Sequence, residues 1–217
     1  MQIDQITAAT VTGIVSLVGA ILAILITRTY LRNRKQSHLF WALGLWAFAL
    51  SDFLEFLFAL DVYSTLMMAF YLFIIMFLVQ LLSLGSIQLV KSGWIRKIYY
   101  AYTAVVAVLV LYSIAAAPVT NLVNNYVVTG QPSNFVIETS SLATFAGLIV
   151  IVGVAGISYI RTRSKKMLSI IAGMVIIGVA GTLYIASFPS FLYLAELFGV
   201  FFIFYGFYDT GHQKRRA

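Results

Sequence analysis

Three carboxylates stand where a protein has few ways to keep them charged. Asp52 and Glu55 lie in the apolar run Ser51-Asp-Phe-Leu-Glu-Phe-Leu-Phe-Ala-Leu60, and Glu196 lies in a second apolar run, Phe191 to Tyr208. Neither run has Lys, Arg or His in its interior. An ionisable group in hydrocarbon is costly and marks a functional site by default. Asp52 and Glu55 are three residues apart, so on a helix they share a face. Tyr193 precedes Glu196 by the same spacing. Without a basic partner, such acids must be protonated, hydrogen-bonded to Tyr or Thr hydroxyls, or neutralised by a bound cation. Protonated, hydrogen-bonded carboxyls suit a structural tie between helices or a pH sensor. An exchanging proton suits transport, and a bound amine or metal ion suits a receptor.

The elements that must position these acids are membrane spans. With 62% hydrophobic and 10% charged residues, and a mean hydropathy of +0.98, the chain is far more apolar than an ordinary globular domain. The absence of cysteine removes disulfides, thiolate catalysis and thiolate metal sites together. Both histidines, His38 and His212, fall at predicted helix ends, which leaves no intramembrane pair for a haem. The net charge of +7 belongs to the membrane surface and not to nucleic acid, because of where the basic residues fall.

Apolar runs of about 18 to 25 residues signal spanning helices. Seven are predicted, over residues 6–27, 38–60, 65–90, 98–116, 138–160, 167–188 and 191–208. Between them lie Arg28 to Lys35, Lys91 to Lys97 and Arg161 to Lys166, and a basic tail, 209–217, ends the chain. These segments hold all fourteen Lys and Arg, and alternating spans put every one on the same side. Positive charge marks the inner face, so the expectation is an all-α seven-helix bundle with its N-terminus outside and C-terminus inside. Met1-Gln-Ile-Asp4 lacks the basic region of a cleaved signal, so the first span is expected to stay in the mature protein.

The outer connections are short except for 117–137. There, Tyr126-Val-Val-Thr-Gly-Gln-Pro-Ser-Asn-Phe-Val-Ile137 sets two β-favouring runs around a turn, which predicts a small extracellular hairpin between spans four and five. The order helix, basic loop, helix, short loop, helix occurs on both sides of span four, suggesting a 3+1+3 pseudo-repeat. Gly19 with Ala23, Gly153 with Gly156, and Gly178 with Gly181 predict close helix contacts. Trp41, Trp46, Trp94, Tyr99, Tyr100, Tyr205 and Tyr208 read as interfacial belt and packing.

At about 1.5 Å per residue, Asp52 lies about 12 Å below the outer end of its span, and Glu55 and Glu196 about 8 Å below theirs. Tyr71, Tyr112, Thr144 and Tyr184 fall at comparable depth, so a polar chamber open to the outside follows if these faces converge. In the inner half, Gln80 and Ser83 share a face of span three with helix-to-helix hydrogen bonding as their expected role, alongside Ser86; Gln88 reads as interfacial.

A retinal protein needs a lysine inside a span, and every lysine here lies in a loop or the tail. Sugar-transporting 3+1+3 proteins carry proline signatures in their spans, whereas Pro118, Pro132 and Pro189 all lie in outer connections. No zinc-helix motif, phosphate loop or nucleophile elbow is present, and no enzymatic activity is expected. The run from Arg28 to Leu60, containing Trp41-Ala-Leu-Gly-Leu-Trp46-Ala-Phe-Ala-Leu-Ser-Asp-Phe-Leu-Glu55, resembles the second helix of the seven-helix sensor region of some prokaryotic histidine kinases. The short outer turn, third span and basic Lys91 to Lys97 segment continue the likeness. The resemblance implies a rhodopsin-like topology and a sensory role. Because the sequence includes no kinase module, it also implies output through a partner on the basic inner face.

The expectation is therefore a receptor- or sensor-like protein of the cell membrane. Asp52, Glu55, Glu196, Tyr71 and Tyr193 form its acidic outer-half pocket for a small ligand, cation or proton. A proton- or cation-coupled small-solute transporter is one alternative. A non-catalytic subunit of a larger membrane complex is another, with Phe198, Phe201, Phe202 and Phe204 facing partner helices. The expected partners are the lipid bilayer, a protein at the inner face and a second copy of the chain; no resident cofactor or metal is expected.

Overall fold

Runs of Leu, Ile, Val, Phe and Ala with few breakers satisfy their backbone polar groups internally, as lipid requires. The computed structural model describes residues 5–117, 122–124, 127–128, 132–163, 168–173, 175–176 and 189–208. Its elements are α1 (Gln5–Asn33), α2 (Gln36–Ala59), α3 (Thr65–Ile87), α4 (Gly93–Ala116), β1 (Val123–Asn124), β2 (Val127–Val128), α5 (Asn134–Thr162) and α6 (Pro189–Tyr208). Helical backbone also occurs at 168–173 and 175–176; the rest of the predicted sixth span, and Gly178 and Gly181 with it, lies outside the described residues. Among the described residues, α1 to α5 are long and apolar enough to cross a membrane, the architecture of a multi-pass membrane protein.

Serine starts three of these helices. Ser64, Ser92 and Ser133 accept hydrogen bonds from the backbone N–H of Met67, Ile95 and Val136, satisfying donors that a helix start leaves open. Helix ends at the basic segments run further than predicted. α1 continues through Arg28 to Asn33, and α4 begins at Gly93, so Trp94, Arg96 and Lys97 are helical. Nothing in these stretches breaks a helix; charge alone does not stop one. α1 and α5 end alike. Arg34 and Arg163 each take a left-handed conformation (φ 52°) and donate a backbone N–H to the tyrosine carbonyl one turn back, Tyr30 or Tyr159, at 2.7 Å. Each guanidinium also lies over that tyrosine ring, 5.7 Å and 6.0 Å from its centre.

α1 packs along α2, α2 along α3, and α3 along α5; α4 leans on α3 and α5, while α6 lies against α1. Close approach depends on small residues, as expected where lipid is as apolar as the helix surface. A Cβ on Gly19 would stand 3.0 Å from the Phe48 ring, and one on Gly44 would stand 2.7 Å from a Leu82 methyl and 3.1 Å from the Leu82 backbone nitrogen. Ser16 donates across the same α1–α2 contact to the Ala49 carbonyl, 2.9 Å. Among the described residues, nothing lies within 4 Å of a Cβ at Gly153 or Gly156, where a close contact was predicted. α5 instead approaches α3 at Gly147, opposite Val79. A four-residue stripe of small side chains permits contact but does not choose which way its face turns.

The predicted hairpin is also placed differently. β1 and β2 pair antiparallel, Val123 with Val128 and Asn124 with Val127, whereas the intended second strand, Phe135 to Ile137, is the first turn of α5 behind the Ser133 cap. Leu122 and Val128 are buried in one cluster with Leu54, Phe58, Met68, Tyr71, Val106 and Val110. This small ladder therefore plugs the bundle on the acid-bearing side of α2.

Candidate functional site: a buried carboxylate triad

α2 turns one face inward, and the three-residue spacing puts Asp52 and Glu55 on it together. α6 brings Glu196 from the far end of the sequence. One carboxylate oxygen from each of the three lies within 4.8 Å of the others. The residues are only 2%, 2% and 6% exposed, so water reaches them little. No Lys or Arg occurs anywhere on α2, α3 or α6, and the one histidine of these helices, His38, lies near the start of α2.

α3 contributes one hydroxyl. Tyr71 donates to Glu55 Oε1, and its ring is held edge-on to Phe58 at 5.6 Å. Each acid keeps one oxygen that is buried and without a hydrogen-bond partner among the described residues: Asp52 Oδ2, Glu55 Oε2 and Glu196 Oε2. Three acceptor-rich groups at this separation repel one another when ionised, and burial leaves little water to screen them. The arrangement can share protons or hold a hard cation through oxygen donors.

Of the expected site residues, the structure brings together Asp52, Glu55, Glu196 and Tyr71. Tyr193 lies on the α6 backbone, but its side chain is outside the described residues, as is all of Tyr184. Two other hydroxyls at the same depth are not part of the site. Tyr112 is 63% exposed, with its ring against Phe135, and Thr144 donates to Ser140 O within its own helix at 2.9 Å. Among the described residues, the expected chamber of several hydroxyls is a buried acid group joined by one phenol, Tyr71. The expectation of no metal site rested on missing His and Cys motifs. An oxygen-only set assembled from two distant helices leaves no such local signature.

In the half of the bundle nearer the basic Lys91–Lys97 segment, a second buried polar group lies around Gln80. Its amide nitrogen donates to the Ala143 carbonyl of α5, and its oxygen accepts from Tyr99 and Thr103 of α4, both at 3.1 Å. Ser83 bonds the Tyr99 hydroxyl at 2.6 Å and its own helix at Gln80 O. Helix-to-helix bonding by Gln80 and Ser83 was expected. Tyr99 had read as interfacial belt; it is buried instead, and its four-residue spacing from Thr103 is the signal that pairs them on one face. Trp41 similarly reaches Ser86 at 3.4 Å. Gln88 bonds Tyr100 at an exposed position, 2.7 Å.

No family model, curated protein or solved structure matches the chain.

Proposed function

We propose that this chain is a sensor-like, seven-span protein of the cell membrane, N-terminus outside, whose Asp52, Glu55 and Glu196 take up a proton or small cation. The observation that carries this reading is the meeting of three acids from α2 and α6 within 4.8 Å, each almost fully buried. Burial this complete favours an occupant of ionic size over an organic ligand. Occupancy changes the force between α2 and α6: repulsion when the acids are ionised and alone, attraction when an ion or proton lies between them. Such a switch needs no flux. The basic inner segments then offer the surface on which a partner protein reads the change, which is also what the histidine-kinase sensor resemblance implies.

The test uses full-length protein in liposomes with an environment-sensitive fluorophore near the inner end of α6. A step in external proton or cation concentration should change the emission without accumulating solute inside. The triple variant Asp52→Asn, Glu55→Gln, Glu196→Gln should lose the change. Net solute or proton flux that depends on Asp52 favours the transporter instead, and an unresponsive wild type overturns both.

A further inference from the structure

We infer that Asp52, Glu55 and Glu196 form a binding site for one divalent, oxygen-seeking cation of calcium size. This rests on the reading above that the triad takes an ionic occupant, and it names the class of that ion.

The donor atoms decide hardness. All three side chains offer carboxylate oxygen, and no imidazole or thiolate among the described residues joins them, which suits hard cations and disfavours zinc, copper and other metals that prefer imidazole or thiolate. The spacing bears on size. Calcium sits about 2.3–2.6 Å from its oxygens, so donors on opposite sides of it are about 4.6–5.2 Å apart. A set whose members all lie within 4.8 Å of one another is on the scale of that sphere. Magnesium, at about 2.0–2.1 Å, spans only about 4.0–4.2 Å, and it gives up its waters reluctantly. The three acids are almost fully buried, and Tyr71, which bonds Glu55, belongs to an apolar cluster with Leu54 and Phe58, which leaves little place for a hydrated ion.

Charge points the same way. A monovalent ion leaves two of three formal negative charges uncompensated, whereas a divalent ion leaves one, and Tyr71 already donates a hydrogen bond to Glu55. The independent sign of a missing ligand is the set of buried oxygens, one on each acid, that have no partner among the described residues. Buried polar atoms are nearly always satisfied, so three such atoms in one place mark a site built for something else. Tyr71 acts here as a positioning residue: it fixes the Glu55 carboxylate while leaving Oε2 free to ligate.

Equilibrium dialysis of the full chain in lipid nanodiscs against calcium, magnesium and sodium tests the inference. Calcium is expected to bind saturably, one ion per chain, at least tenfold more tightly than magnesium, with sodium a weak competitor. Glu196→Gln and Asp52→Asn should each weaken calcium binding by tenfold or more. Glu138→Gln, which alters an exposed acid, should leave it unchanged. The neutral amide replacements relieve repulsion and keep side-chain size, and elution volume and helical circular dichroism check that each variant is folded. No saturable calcium binding by folded wild type, or binding untouched in both acid variants, overturns the inference. If calcium binds but the inner-face fluorophore does not respond, the site stands and the sensor reading falls. If protons alone drive a response that the acid variants lose, the sensor reading stands and the divalent site falls.

Discussion

The buried polar groups around Gln80 and around the acid triad differ in one respect that bears on their roles. The Gln80 group is neutral, and its donors and acceptors match: one amide serves α3, α4 and α5 at once, and Ser83 completes the circuit. The triad is acidic, joins α2 to α6, receives one donor from α3, and still has an unpartnered oxygen on every acid. Both are shielded from water, so exposure does not explain the difference. A satisfied network holds helices in one arrangement; an unsatisfied one has an arrangement that depends on what fills it. Under the reading proposed above, the Gln80 group is a fastener and the triad a receptacle.

The reciprocal swap is the sharpest way to break that contrast. Gln80→Glu should destabilise the protein by about 3 kcal/mol, because it replaces a donor to Ala143 with an acceptor and puts an acid where no water reaches. Denaturation in mixed detergent micelles measures this, and a stable Gln80→Glu protein would remove the distinction. The opposite exchange, Glu196→Gln, should leave the ion-free protein equally stable or firmer.

Calcium at a hundred times its dissociation constant should stabilise the wild type by about 2.7 kcal/mol and Glu196→Gln far less. Thermal unfolding with and without the ion checks it; equal shifts in both proteins contradict a role for Glu196. Tyr99→Phe and Thr103→Val should each cost about 1 kcal/mol. The double variant should cost more than their sum, because either donor alone still satisfies the Gln80 oxygen. Strict additivity in a double-mutant cycle would deny that they share it. The smallest effect belongs to Tyr112→Phe, expected to change stability by less than about 0.5 kcal/mol and calcium binding not at all, since its ring faces outward.

Depth was legible in the sequence and rotation was not. Counting residues from span ends put Asp52, Glu55, Glu196 and Tyr71 at one level, and they meet there. The same count admitted Tyr112 and Thr144, which sit at that level on faces turned elsewhere. Rotation follows from packing over a whole helix, and a single position carries little of it. The Gly153–Gly156 stripe meets no partner among the described residues, whereas Gly19 was informative because Ala23 and Leu22 near it are also buried. Tyr99 was missed because a tyrosine near Lys97 resembles an interfacial anchor until Thr103, one turn on, is read with it. Residues 135–137 have β-branched and aromatic character, yet the Ser133 cap and a long apolar continuation draw them into α5.

Glu196 arrives late. α6 follows all of α1 to α5 in the chain, so during synthesis the ribosome releases it after α2 and α3 have entered the bilayer. Until then Asp52 and Glu55 wait in lipid as an incomplete pair, with Tyr71 as their polar companion. A chain cut short before α6 would therefore carry Asp52 and Glu55 without the third acid of the receptacle.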